Sequence, residues 1–210
     1  MVGIMPGMEL EVRAARPDDR AAAGLLYESA APYYDAYAGG ERRARRLLAR
    51  MWTLPGHTAS YEVSRVAIVD GELAGVLAGF RLREGNALAT RFVSLSLRRV
   101  PPWRWIAITR HLRAAGRLTP RPPVDAYYVD ALAVAAAFRR RGVATALLAA
   151  AAEEAERGGA SGVALDTGLD NAAGRALYEH LGFRRTSVRA AEDPRTARAI
   201  GGRGFISYFK

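Results

Sequence analysis

Between Asp130 and Glu154 the chain reads D-A-L-A-V-A-A-A-F-R-R-R-G-V-A-T-A-L-L-A-A-A-A-E-E. This is an apolar strand, then a turn holding Gly142, then a long alanine-rich helix. The turn Arg139-Arg140-Arg141-Gly142-Val143-Ala144 gathers main-chain N–H groups at a helix N-terminus. The first N–H groups of a helix have no partner inside it, and the aligned peptide dipoles add partial positive charge there. Such a place suits a phosphate group. Gly142 lets the backbone approach an anion where a Cβ would intrude, and the three consecutive arginines attract the same charge from a distance. The competing reading is an ordinary strand-to-helix turn with solvated arginines.

Length and composition narrow the rest. A chain of 210 residues, half of them hydrophobic, is expected to form one compact domain over residues 1–210. It has no cysteine, which excludes disulfides, thiolate metal sites and thiol nucleophiles. The net charge of +10 would ordinarily suggest nucleic acid, a membrane or an acidic ligand. Only one of the 31 basic residues is a lysine, Lys210, and alanine and glycine are abundant. The basic charge therefore reads largely as compositional bias. Met1–Met8 is short, lacks basic residues and is broken by Gly3, Pro6 and Gly7, unlike a secretory leader. No apolar run reaches the length of a membrane span, about 18 residues. A soluble, cytoplasmic protein is the expectation.

Glu9–Ala14 alternates as a first strand. Arg16-Pro17-Asp18-Asp19 reads as a helix start, and that helix carries Leu25, Leu26 and Tyr27, with Tyr33, Tyr34 and Tyr37 near its end. A second helix, Glu41 to Trp52, sets Leu47, Leu48, Met51 and Trp52 against a face of arginines. Val66–Val69 and Leu73–Leu77 flank Asp70-Gly71, a tight hairpin. Residues 84–123 interrupt the rhythm with two helical patterns, Asn86–Leu97 and Trp103–Leu112, and a proline-rich end. This segment reads as an insertion that covers the sheet, shapes a pocket or makes a dimer contact, with its tryptophans packed; an arginine-rich nucleic-acid surface is the less favoured reading. A fourth strand spans Ala126–Val134, apolar almost throughout. The helix after Gly142 stops at Gly158-Gly159, a fifth strand covers Val163–Thr167, another helix opens near Asn171 and ends at Leu181-Gly182-Phe183, and two more strands follow, the last being Gly204–Phe209.

Two motifs now stand in register. Arg139, Gly142 and Ala144 fill the pattern Gln/Arg-x-x-Gly-x-Gly/Ala, and Asn171, Tyr178, Gly182 and Phe183 fill Asn-x-x-Ala-x-x-x-Tyr-x-x-x-Gly-Phe, with Gly174 in place of the alanine. Together they resemble the GNAT superfamily of N-acetyltransferases. The element order resembles that family too, over about residues 8–210 apart from the insertion. The resemblance implies an α/β (α+β) fold, with a mixed central sheet of about seven strands flanked by helices and the insertion between strands three and four. It implies acetyl-CoA as co-substrate, its pyrophosphate on the N–H groups of Arg140, Arg141, Gly142, Val143, Ala144 and Thr145. It implies that Leu132, Ala133 and Val134 bind pantetheine through the main chain where the fourth strand splays from the fifth at a bulge. The N–H of Val134 would polarise the thioester carbonyl, an interaction worth up to about 3–4 kcal/mol in comparable oxyanion holes. It implies that Asn171 contacts the cofactor and that Tyr178 lies near its sulfur.

The chemistry then asks for an acid and a base. Tyr178 is the candidate acid, protonating the departing thiolate; its plainer role is a helix tyrosine packed on the sheet. An amine nucleophile has a reference pKa of about 10.4 and must lose a proton before it attacks. Asp130 is the candidate base, with Asp166 and Glu28 behind it; its plainer role is to fix an ammonium or a loop. Tyr33, Tyr34 and Tyr37 are candidates for the acceptor site. His57, His111 and His180 show no metal-ligand spacing, so no metal is expected and all three read as structural or surface residues. The expected activity is acetyl transfer to a primary amine of a small molecule or peptide, by direct attack. The rivals are a catalytically silent acyl-CoA sensor and a nucleic-acid-binding protein, and a homodimer is common in the family.

Overall fold

A computed structural model describes residues 8–120 and 122–210; apart from Met8, the Met1–Met8 segment read above as unlike a leader lies outside them. The chain begins with β1 (Leu10–Ala14), which pairs antiparallel with β2 (Ser64–Val69). β2 turns into β3 (Glu72–Arg81) through Asp70 and Gly71, at φ 50° and 83°. Both central residues are left-handed, as the twist of a two-residue hairpin demands. β4 (Tyr127–Val134) runs antiparallel to β3 and parallel to β5 (Val163–Gly168). β6 (Arg184–Ala190) and β7 (Gly204–Phe209) complete a mixed seven-stranded sheet in the order β1-β2-β3-β4-β5-β7-β6. The expected fold class is the observed one.

Helices cover both faces. On one lie α1 (Ala22–Ser29), α2 (Ala31–Ala38) and α3 (Glu41–Trp52), which bury Leu26, Tyr37, Leu48, Met51 and Trp52 against Val66, Val76 and Ala131. On the other, α6 (Val143–Arg157) buries Val143, Leu147 and Ala151 against Leu77, Val129 and Leu165, beside α7 (Ala172–His180) with Tyr178. α4 (Leu82–Leu97) and α5 (Trp105–Leu118) form the insertion. It is pinned to α2 by a hydrogen bond between the hydroxyls of Tyr37 and Ser96. Arg104 Nη2 also donates to the carbonyls of Ala36 and Tyr37, at 3.0 and 3.1 Å, where a cation offsets the negative end of the α2 dipole.

Several local expectations are corrected. Arg16–Asp19 is a turn: Asp19 accepts from Arg16 N at 2.7 Å and from the Arg13 guanidinium at 2.8 Å, and the Arg13 bond holds its carboxyl below the usual range. The helix starts only at Ala22, and it breaks at Ala30 (φ −150°, ψ 46°), so the tyrosines sit on a separate helix with Pro32 in its first turn. The buried stripe of α5 is Ile108, His111, Ala115 and Leu118. Trp103, Trp105 and Ile106 face outward at 73%, 48% and 65% exposure, so the insertion's tryptophans are not packing residues. The segment after Asp193 contains a short helix, α8 (Pro194–Ile200), whose N–H groups on Arg195 and Thr196 are capped by the Asp193 carboxylate.

α8 ends on Gly201 at φ +72°, where a Cβ would meet the carbonyl oxygen of Pro32 at 2.0 Å. Left-handed backbone and a rigid neighbour both oppose a side chain there. Gly201→Ala is therefore expected to cost about 3 kcal/mol, seen as a fall in Tm of about 6–12 °C for a chain of this size. An unchanged Tm would contradict this seating of α8 on α2.

Among the described residues no helix is long and apolar enough to cross a membrane.

Candidate active site

The site begins with a fault in the sheet. The pairing of β3 with β4 slips between Ala78 and Gly79: Ala78 faces Ala131 and Gly79 faces Val129, which leaves Asp130 without a partner. An extra residue of this kind is a β-bulge. It inverts the in–out alternation of β4. Tyr127 and Val129 pack on the α6 side before it, whereas Ala131 and Ala133 pack on the α1–α3 side after it. Past the bulge β4 also parts from β5. The two strands pair only at Tyr127–Val163, Tyr128–Ala164 and Val129–Leu165, so Asp130–Val134 has no β5 partner.

The gap opens into a cavity of about 390 Å³. Its walls bring together Asp130 and Leu132 of β4, Asp166 and Thr167 of β5, Asn171 and Tyr178, and Tyr33, Tyr34 and Tyr37 of α2. Its roof is the insertion, through Leu82, Ala89, Phe92, Val93 and Leu112, with Thr119, Pro120 and Pro122 beyond α5. The reading of the insertion as a pocket-shaping element fits this arrangement. Ala133 and Val134, at the end of β4, and the turn Arg139–Thr145 beyond it are not part of the cavity wall, and neither is Glu28, exposed on α1.

Two carboxylates share this space. Asp130 is exposed, its side chain opening onto the cavity, and protein packs closely around that opening. Burial first, and the nearby Asp166 charge second, push its carboxyl up from 3.8 to about 7. Asp166 is also raised by burial, although the nearby Ser207 and the Tyr128 hydroxyl oppose the shift. Its Oδ2 accepts from the Tyr128 hydroxyl at 2.8 Å while Oδ1 is buried without a partner. The sequence named Asp166 only as a reserve base, and Tyr128, its hydrogen-bond donor, was missed. Alternation from Asp130 back to Tyr128 was the signal for it.

Tyr178 is 7% exposed and packs edge-on to Phe183 with its ring centroid 6.0 Å away. Burial raises its hydroxyl to about 12, so it stays protonated across the neutral range. Asn171 is the N-cap of α7: its Oδ1 accepts from Gly174 N at 3.0 Å and its Nδ2 donates to Thr167 Oγ1 at 2.9 Å. The side chain thus fixes the mouth of α7 beside β5. Burial also raises Tyr33 and Tyr34, with the Asp130 charge contributing second. His57 and His111 are buried and His180 is exposed, none of them in the cavity wall. Among the described residues no group of three or more His, Cys, Asp or Glu is placed to hold a metal ion.

The turn at the end of β4 has the geometry an anion needs. Gly142 sits at φ 83° as the N-cap of α6, and Arg140 shares the left-handed region at φ 61°. The first helical bond runs from Ala146 N to Gly142 O, so the N–H groups of Val143, Ala144 and Thr145 precede it. Among the described residues those of Arg140, Arg141 and Gly142 also have no acceptor. Arg139 Nε donates to Val134 O at 3.1 Å and ties the turn to the strand. Arg139, Arg140 and Arg141 are exposed, with Arg141 over the Phe138 ring at 5.7 Å.

The sequence matches the model of the Acetyltransferase (GNAT) family over residues 25–183. None of the curated proteins matches the chain. Among solved structures, an N-acetyltransferase from Staphylococcus aureus Mu50 aligns with TM-score 0.71 and 19% identity, covering 95% of this chain and 100% of that one. The ribosomal-protein-S18-alanine N-acetyltransferase from Escherichia coli aligns with TM-score 0.52 and 17% identity, over 96% and 94% of the two chains. The IAA acetyltransferase from Bacillus cereus ATCC 14579 aligns with TM-score 0.53 and 17% identity, over 96% and 98%. At these identities the likeness is one of fold.

Proposed function

Because the chain belongs to the GNAT family of acetyltransferases, we propose that it transfers the acetyl group of acetyl-CoA to a primary amine by direct attack through a tetrahedral intermediate. The observation that carries this reading is the bulge at Asp130, which turns a carboxylate into the same cavity as the Tyr178 ring, at the place where β4 leaves β5. Acetyl-CoA supplies an activated acyl carbon and a phosphate-rich handle. The residues present fit both ends of it. Six consecutive main-chain N–H groups from Arg140 to Thr145 await acceptors at a helix N-terminus, with arginines around them. The unpaired edge of Ala131–Val134 offers main-chain groups on the way to the cavity.

Asp130 takes a proton from the acceptor ammonium, leaving a free amine lone pair. The C–N bond forms at the acyl carbon and the C–S bond breaks. Tyr178 gives its proton to the sulfur, and the proton lost from the new amide nitrogen passes through water to restore the phenol. The sum is ammonium plus thioester giving amide, thiol and one proton. Asp130 suits its part because a base works best with a pKa near the working pH. Tyr178 suits the opposite part because it keeps its proton until a thiolate forms.

Tyr178→Phe tests the assignment while keeping the ring in place. The expected result is a fall in kcat of about 100-fold, the lower end of general-acid contributions because a thiolate already leaves well, with the KM for acetyl-CoA little changed. Free thiol release measures it. Unaltered kcat would remove Tyr178 from the chemistry. Tight CoA binding with no turnover of any amine by the wild type would favour a silent CoA sensor instead.

A further inference from the structure

The cavity carries its charge on the sheet, while the helical insertion presents it with an apolar surface. Both acidic groups, Asp130 and Asp166, lie on the neighbouring strands β4 and β5. The insertion contributes Leu82, Phe92, Val93 and Leu112, and Phe80 and Phe205 lie on the sheet, Phe80 with its ring 5.9 Å from that of Tyr128. The rings of Tyr33, Tyr34 and Tyr128 are close enough to Asp130 for its charge to act on each hydroxyl. A chain with 31 basic residues places no arginine or lysine among the described lining residues.

We infer that the acceptor is a small monoamine with an aromatic or alkyl body and no carboxylate. This rests on the acetyl-transfer reading for the fate of the amine, and on the cavity alone for its shape. An ammonium beside Asp130 and Asp166 is paired with opposite charge and faces aromatic rings, which attract cations. A carboxylate on the neighbouring carbon meets the same two acids with no arginine or lysine among the described lining residues to neutralise it, and like charges brought together in a site are strongly disfavoured. A second ammonium at the distance of a polyamine chain meets phenylalanine and leucine walls and loses its hydration without a partner. The volume of about 390 Å³ belongs with small-ligand cavities, and the insertion roof replaces the open groove a protein terminus would need.

A matched pair of probes tests it. 2-Phenylethylamine and phenylalanine share a body and differ by one carboxylate; hexylamine, spermidine and a short alanine-led peptide complete the panel. With acetyl-CoA, 2-phenylethylamine is expected to show kcat/KM at least about 100-fold above phenylalanine, and both monoamines are expected to exceed spermidine and the peptide. Binding of the same five compounds, followed by calorimetry in the presence of CoA, reads the cavity without chemistry. Tight 2-phenylethylamine binding with no turnover of any amine would sink the transfer reading and uphold this inference. Phenylalanine, spermidine or the peptide binding as well as the monoamines, or no monoamine binding, would overturn it.

Discussion

Asp130→Asn is expected to lower kcat/KM for the acceptor by about 10²–10⁴, the usual contribution of a positioned base, and to remove the limb near neutrality from the pH–rate profile. The sign follows from the site. Asp130 must be ionised to take a proton, and burial with Asp166 beside it moves its titration up to about 7. Wild-type kcat/KM is therefore expected to climb through neutrality and level off, whereas the amide does not titrate and leaves only the rise set by the acceptor amine's own ionisation, near its reference pKa of about 10.4. Stability moves the other way. A carboxyl raised on folding binds its proton more tightly in the native state, so its favourable contribution is full below its unfolded value of 3.8 and is lost as pH rises through about 7. Asp130→Asn is accordingly less active yet more resistant to heat than the wild type above pH 7. A variant with an unchanged pH–rate profile, followed by thiol release from pH 5.5 to 9, would remove Asp130 from the base role.

Gly142→Val is expected to abolish most of the CoA affinity. The residue holds φ 83° at the start of α6, and a β-branched side chain is strained there by about 1–3 kcal/mol. The turn can relieve that strain only by rotating the peptides whose N–H groups converge on the anion site. The loss in affinity is expected to be about 5- to 150-fold, following the same energies. Asparagine tolerates the left-handed region better than alanine or valine, so Kd should rise in the order Gly, Asn, Ala, Val. Calorimetry with CoA reads the series. Valine binding as tightly as glycine would place the diphosphate elsewhere.

Much of this was legible before the structure because some residues admit one local solution. Asp70-Gly71 between alternating apolar runs allowed little but a hairpin, and Gly142 between an apolar strand and an alanine run allowed little but a helix start. Residues further apart were read less well. Ala30 carries no breaker of its own, and the helix parts there because Pro32 opens a new first turn. Asp193-Pro194 and Gly201 were proper start and stop signals for α8, yet seven residues burying only Ile200 show no periodicity. Trp105 looked like core because its spacing suits a helix face, but the face that docks begins at Ile108. The meeting of Asp130 with Asp166 depends on a bulge and on which strands are neighbours, and no local pattern encodes either.

The short contact between β4 and β5 makes the molecule two leaves sewn along a brief seam, β1–β4 on one side and β5, β7 and β6 on the other. α6 straddles the seam with side chains, but the peptide rungs stop at Val129. On the proposed reading, a ligand threading the opening would supply rungs the chain does not make for itself. At a concentration 100 times its Kd such a ligand adds about 2.7 kcal/mol to the folded state. Part of the cohesion between the leaves is thus left for the visiting molecule to provide.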